Sequence, residues 1–213
     1  MVGMIKGMEG NPAAKLTAES AIAMRPFVEA PGQGNMDVDW TDENKAFVAK
    51  CDNKEVEFED ENCPDGKMKI IVHTPKTLDL TKKYKTIFWI HGGGFFLFTA
   101  KHGTHYACRL AVMNDCVVVS SFYQSPPEIR APMYHLQSYY ALKYTLKNAD
   151  TFHIDSSRVC VQGESSGGML TMAVAMELAK HDESHLIKYA LADVPACSFE
   201  WFRKERGTLR EIE

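Results

Sequence analysis

From about Lys54 onward, apolar residues fall in short runs separated by turn-forming residues. "KEVEFED" alternates polar and apolar positions, "CPDG" is a turn signal, and "KMKIIVHTP" is a second run. Together they predict a β-hairpin. "KTIFWI", Lys85 to Ile90, and "CVVVSSF", Cys116 to Phe122, are compact apolar runs. The three valines of the latter suit a strand covered on both faces. Between residues 133 and 148, Met133, Leu136, Tyr140 and Tyr144 recur at helical spacing. "SRVCVQG" predicts another strand, Ser166 to Lys180 a helix rich in small residues, and "LIKYALAD" a last strand. Apolar strands alternating with helices predict a mainly parallel α/β sheet. Residues 1–50 read differently. "AAKLTAESAIAMRPFVEA" predicts a short helix stopped by Pro26, "PGQGN" a loop. Two parts are therefore expected, a helical segment over 1–50 and an α/β core over 51–213. The tail "FRKERGTLREIE" reads as a charged, frayed helix.

Composition narrows the function classes. A chain of 213 residues suffices for one substantial core. The net charge of −4 and the lack of a long basic block argue against a nucleic-acid partner. The six cysteines are scattered without a C-x-x-C pair, which reads as reduced core thiols. "MVGMIKGMEG" lacks the apolar stretch of a signal peptide, and no run reaches the ~18–20 residues of a membrane span. A soluble, cytoplasmic protein is expected, with no transmembrane segment. No metal-ligand cluster is visible, and "GGGFF" lacks the G-K-[ST] ending of a phosphate loop, so no cofactor is expected.

The chemistry lies in two glycine-bearing junctions. In "RVCVQGESSGGMLTMAV" a strand ends, Gly163-Glu164-Ser165-Ser166-Gly167 follows, and a helix begins. This is G-x-S-x-G in a strand–turn–helix setting. A nucleophilic Ser165 on a sharp turn needs small neighbours, and Gly163 and Gly167 remove the clash. The turn also puts Ser165 at a helix N-terminus, where a developing anion is favoured. The second junction, "HGGGFF", spends three consecutive glycines after an apolar strand, 74 residues before Ser165. Attack on an ester carbonyl creates an oxyanion that needs preorganised N–H donors, each worth on the order of 10²–10³ in rate. Gly92, Gly93 and Gly94 can bring bare N–H groups to that oxygen, and Ser166 can add another. His91 is expected to shape the loop by hydrogen bonding and not to act as the base.

The pair "HGGG" and "GESSGG" resembles the hormone-sensitive-lipase-like branch of the α/β-hydrolase fold, which contains carboxylesterases and lipases. That family usually writes G-D-S-A-G-G; here Glu164 and Ser166 stand in place of Asp and Ala. Where the family often carries D-Y-R-L-A-P-E, this chain has "FYQSPPE", keeping Tyr123, Pro127 and Glu128 but not the Asp and Arg. The substitution implies a lost ion pair around the site. The resemblance covers about residues 50–200 and implies an α/β-hydrolase fold, a mostly parallel sheet with flanking helices, lacking the C-terminal strands and helices. It also implies that residues 1–50 are part of an N-terminal cap.

The same resemblance exposes a gap. The order along such chains is Ser, then acid, then His. After Ser165 the only histidines are His181 and His185, on or just past the helix that leaves the turn, and none follows Asp193. Asp193 is expected to be structural or pocket-lining. Upstream, His73, His135 and His153 read as surface or structural, whereas His102 and His105 follow the glycine loop and fall near the mouth. The triad acid and base are thus not assigned in this chain. It is expected to be a fragment of a serine hydrolase of carboxylic esters, acting on a small-molecule ester or lipid. The alternatives are a family member without catalysis that binds acyl or small apolar ligands, and a chain completed by another. A shortened parallel sheet also exposes an edge through which copies can self-associate.

Overall fold

The computed structural model describes residues 41–61, 67–126, 128–129 and 131–197, together with positions 19, 22, 23 and 25. The rest of the helix expected before Pro26, the "PGQGN" loop, the "CPDG" turn and the charged tail lie outside the described residues.

Helix α1 (Asp42–Ala49) opens on Thr41, whose Oγ1 accepts the N–H of Asn44 at 3.2 Å, with Asp42 and Glu43 in its first turn. It leads directly into β1 (Cys51–Glu59), so the expected 50/51 boundary falls between a helix and a strand. β1 and β2 (Lys67–Pro75) form the expected antiparallel hairpin. Then follow β3 (Tyr84–Ile90), α2 (Thr104–Asn114), β4 (Val117–Ser121), α3 (Met133–Lys147), β5 (Ile154–Glu164), α4 (Ser166–Lys180), a 3₁₀ turn (Ser184–Leu186) and β6 (Tyr189–Asp193). The six strands form one sheet in the order β1-β2-β4-β3-β5-β6. β2 joins β4 antiparallel, while β3–β4, β3–β5 and β5–β6 are parallel.

Two apolar clusters cover the two faces. One packs Phe88, Ile90, Val117, Val119 and Val161 against Leu142 of α3 and Leu170 and Val174 of α4. The other packs Trp89 and Val118 against Ala107, Cys108 and Ala111 of α2, with Phe47 and Val48 of α1 at its margin. Every residue of β4 is buried, as its valine run requires. His73 is buried at the centre of the antiparallel half. Its Nδ1 lies 2.7 Å from Oδ1 of Asn53, its register partner on β1, and its Nε2 lies 2.8 Å from Ser120 Oγ on β4. It is structural, as expected, and ties three strands together.

Parallel β3 and β5 end side by side, with Ile90 opposite Gly163. Both glycine-bearing junctions therefore leave the same edge of the sheet, and β6 ends beside them, with Asp193 opposite Glu164.

Candidate active site

The turn between β5 and α4 is sharp. Ser165 sits at φ 54° and ψ −120°, outside the regions that ordinary side chains occupy. Such strain persists only when the surroundings hold it. Here the Ser165 N–H donates to the Asp193 carbonyl at 3.0 Å, and the Ser165 carbonyl accepts from the N–H groups of Met169 at 3.1 Å and Ala196 at 3.2 Å.

A side chain at either flanking glycine would clash, as expected, and the obstacles are backbone atoms. A Cβ on Gly167 would lie 2.1 Å from the Ile90 carbonyl oxygen, and one on Gly163 would lie 2.4 Å from the Gly167 carbonyl oxygen. They clear each other and the end of β3, not the serine side chain. Because the obstacles are backbone, relief requires separating α4 from β3. Gly167→Ala is therefore expected to destabilise the fold by about 3 kcal/mol or more, within the range of severe overpacking. The midpoint of chemical denaturation measures this; a variant with an unchanged midpoint would contradict the packing.

Glu164, between the glycine and the serine, clamps the two junctions together. Its Oε1 accepts the Gly92 N–H at 2.7 Å, and its Oε2 accepts the indole N–H of Trp89 at 2.9 Å. Burial pushes its carboxyl above the usual range, and the two donors pull in the opposite direction. The bond to Glu164 corrects one expectation. The Gly92 N–H already has a partner, so Gly92 is not a free oxyanion donor. It shapes the loop: a Cβ there would lie 2.9 Å from the Glu164 carbonyl oxygen and 3.3 Å from Ser165 Cβ. Gly93 at φ 126° and Gly94 at φ 63° adopt backbone that favours glycine.

His91 is buried and braces the same loop. Its Nδ1 lies 2.7 Å from the Gly92 carbonyl, which can only accept, so Nδ1 carries the proton. Its ring stacks on Tyr123 at 4.3 Å, and the Tyr123 hydroxyl donates to the His91 carbonyl at 2.9 Å. Burial holds the imidazole down to about 4, so it is neutral near pH 7. Behind it, Gln124 and Gln137 exchange two hydrogen bonds, from Gln124 N–H to Gln137 Oε1 at 2.8 Å and from Gln137 Nε2 to Gln124 Oε1 at 2.7 Å. The ion pair expected to be lost from this region has a counterpart, since Glu128 pairs with Arg25.

Ser165, Gly92 and Gly93 line one cavity of about 400 Å³, walled by Trp89, His102 and Tyr106. Glu164, Asp193 and His105 also border it. Gly94 is exposed and outside that lining, and Ser166 is buried as the first residue of α4. The N–H groups of a helix's first turn have no partner within the helix. His102 accepts the Thr99 N–H on Nδ1 at 3.0 Å, so its proton sits on Nε2 and the ring presents a donor. His181 ends α4, 3.6 Å from Glu177, and a helix of 15 residues places it roughly 22 Å along the axis from Ser165. His185 lies in the 3₁₀ turn beyond it. Sequence reasoning missed Trp89, Tyr106 and Gly103. A Cβ on Gly103 would lie 1.9 Å from the Trp89 ring, so the start of α2 is moulded onto the indole.

A family model described as an alpha/beta hydrolase fold matches residues 87–211, more than half of the chain. The chain belongs to the α/β-hydrolase family. Within it, the hormone-sensitive-lipase-like branch is the one its motifs resemble and its relatives represent. Arylacetamide deacetylase of rabbit (Oryctolagus cuniculus) is 36% identical over 113 residues, 51% of this chain and 28% of that protein. The rat (Rattus norvegicus) protein of the same name is 32% identical over 111 residues, 50% of this chain and 28% of its own length. Among solved structures, EstE1, a thermostable carboxylesterase cloned from a metagenomic library, superposes with a TM-score of 0.64 at 25% identity, over 80% of this chain and 54% of its own. A mutant form of the esterase rPPE reaches a TM-score of 0.68 at 20% identity, over 93% of this chain and 57% of its own; that likeness shows the fold. This α/β-hydrolase chain thus spans little more than half the length of the solved esterases it matches. No helix among its described residues is long and apolar enough to cross a membrane.

Proposed function

We propose that this chain carries the nucleophile and oxyanion half of a serine hydrolase acting on carboxylic esters. Ser165 is the nucleophile. The N–H groups of Gly93 and Ser166 receive the oxyanion, Gly94 sets the outer turn of the loop, and Gly92, Glu164 and His91 hold that loop in place. The observation that supports this most directly is Ser165 in strained backbone at the strand–helix turn, lining one cavity with the glycine loop. In the reaction, Ser165 Oγ would add to the ester carbonyl while its proton passes to a base. The alkoxide leaving group would depart protonated, and water would release the acid from the acyl-serine. The apolar wall of Trp89, Phe98 and Tyr106 suits a small acyl or aryl ester, in keeping with relatives named as deacetylases and carboxylesterases. In a chain that also carries a triad acid and base, Ser165→Ala should leave the fold intact and cut ester hydrolysis to the small residual that oxyanion and binding contacts alone supply. Unchanged hydrolysis would remove Ser165 from the mechanism.

A second reading, an acyl-ligand binder without catalysis, is favoured by His102. Its Nδ1 is committed to Thr99, and its remaining nitrogen is a donor. Reaction with a fluorophosphonate separates the two, because only an activated serine is modified.

The outer side of β6 has no strand beside it among the described residues; Tyr189 and Leu191 on that strand, and Val194 just past it, are each more than half exposed. On this reading the chain self-associates along that edge. Leu191→Lys, which places a charge on an edge strand, should shift its sedimentation toward the monomer. A monomeric wild-type chain would remove this part of the proposal.

A further inference from the structure

The segment that follows the glycine loop is held in backbone that its own residues disfavour. Phe95 and Phe98 sit at φ 73° and 68°, where a bulky side chain is a genuine outlier. The turn is closed by the Leu97 N–H donating to the Gly93 carbonyl at 3.0 Å. Between the two strained residues, the Phe96 carbonyl accepts from Nε of Arg25 at 2.8 Å. The same guanidinium grips a second loop. Its Nη1 lies 2.6 Å from Glu128 Oε1, its Nη2 lies 3.0 Å from Glu128 Oε2, and Nη2 also donates to the Pro126 carbonyl. Arg25 belongs to none of the elements that build the sheet, yet its side chain is only 19% exposed.

Both loops border the site. Phe98 and Thr99 line the cavity over Ser165 and also a second cavity of about 550 Å³, which Arg25 and Glu128 line as well. Phe98 and Thr99 thus stand between two cavities, and the guanidinium binds the chain two residues before Phe98.

We propose that Arg25 is a positioning residue: it latches the strained Phe95–Phe98 segment, and through it the glycine loop, by binding the Phe96 carbonyl while anchored on Glu128. Strained backbone persists only where its surroundings over-determine it. A guanidinium offers five N–H donors in a fixed plane, enough to meet a carboxylate on one side and carbonyls on the others. A lysine can pair with Glu128 but cannot span all three acceptors. The pairing holds the Glu128 carboxyl below its usual range, in keeping with an ion pair that persists. The inference matters to ester hydrolysis only through the loop. Its test reads backbone opening, so a failure here and a failure of Ser165 as nucleophile are told apart.

The test is hydrogen–deuterium exchange on the 213-residue chain. In Arg25→Ala, protection of peptides covering residues 93–98 should fall roughly tenfold to a hundredfold, the scale of a lost charge-assisted bond. Protection of β4, Val117–Ser121, should stay as in the wild type. Millimolar guanidinium should restore the lost protection in Arg25→Ala, and methylammonium at the same concentration should not. Arg25→Lys should lose protection like Arg25→Ala, while Glu128→Gln, which leaves both carbonyl bonds available, should lose less. Unchanged protection over 93–98 in Arg25→Ala would overturn the proposal. So would a loss shared equally by β4, or one that guanidinium does not repair, since either would make Arg25 a general stability contact.

Discussion

Between pH 7 and pH 5 the folded chain is expected to lose about 4 kcal/mol of stability, most of it through two buried histidines. Burial holds His73 down to about 3 and His91 down to about 4, while both titrate near 6.5 when unfolded. Between the folded and unfolded values, the unfolded chain binds protons that the folded chain refuses. Stability therefore rises with pH through that window and falls as pH drops below about 6.5, by about 2 kcal/mol per histidine over these two pH units. His135, half-buried and also lowered, adds in the same direction. Glu164 opposes it, since its raised carboxyl favours the protonated folded state and loses stability as pH rises. Against a typical domain stability of roughly 5–15 kcal/mol, the histidine contribution is large. Urea midpoints at the two pH values measure it. His73→Gln and His91→Gln should each remove about half of the pH difference, whatever they do to stability at pH 7. A wild-type difference below about 1 kcal/mol would sink the assignment of both rings as buried and neutral.

His73 also shows where sequence reasoning stops. In the sequence it is one polar residue in an apolar run, and only the register with Asn53 and the approach of Ser120 explain it. Local signals served well where one periodicity dominated. The β1–β2 hairpin, the valine strand β4 and the run of α4 from Ser166 to Lys180 follow from pattern alone. Helix α2 did not show, because its buried face is made of Ala107, Cys108 and Ala111, small residues with little apolar contrast. Helix α1 carried a readable start in Thr41, Asp42 and Glu43, but its apolar residues are confined to the last turn, Ala46 to Ala49, and none of it is fully buried. At the site, the glycines and Ser165 were legible because backbone geometry restricts which residues can stand there. The partners were not. The Glu164 clamp joins positions 72 and 75 residues apart, and Arg25 reaches Glu128 across 103. Such pairs are set by which strand ends lie side by side, and the parallel order of β3, β5 and β6 decides that.

The 213-residue chain alone is expected to hydrolyse p-nitrophenyl acetate or butyrate only marginally above buffer, and to resist a fluorophosphonate probe. A serine hydroxyl is a weak nucleophile unless a base takes its proton as it attacks. His102 lines the cavity, but the Thr99 N–H occupies its basic nitrogen. His91 is buried against Tyr123 with its proton on the side of Gly92. His181 is a full helix away. On the proposed mechanism, what the cavity offers is the glycine loop and the positive end of α4, and these would act on the oxyanion, not on the proton. Serine hydrolases stripped of triad members keep ~10³–10⁴-fold catalysis over water from that source and from binding. A chain that also carries an acid and a base in the order usual for the fold should react with the probe and turn over both esters, and Ser165→Ala should abolish the labelling and cut turnover to that residual. Stoichiometric labelling of Ser165 in the 213-residue chain would overturn the expectation. It would mean that His102 breaks its bond to Thr99 to serve as the base, or that His105 or a second copy supplies one. His102→Gln and His105→Gln would then distinguish these sources, since only the variant lacking the true base would lose the label.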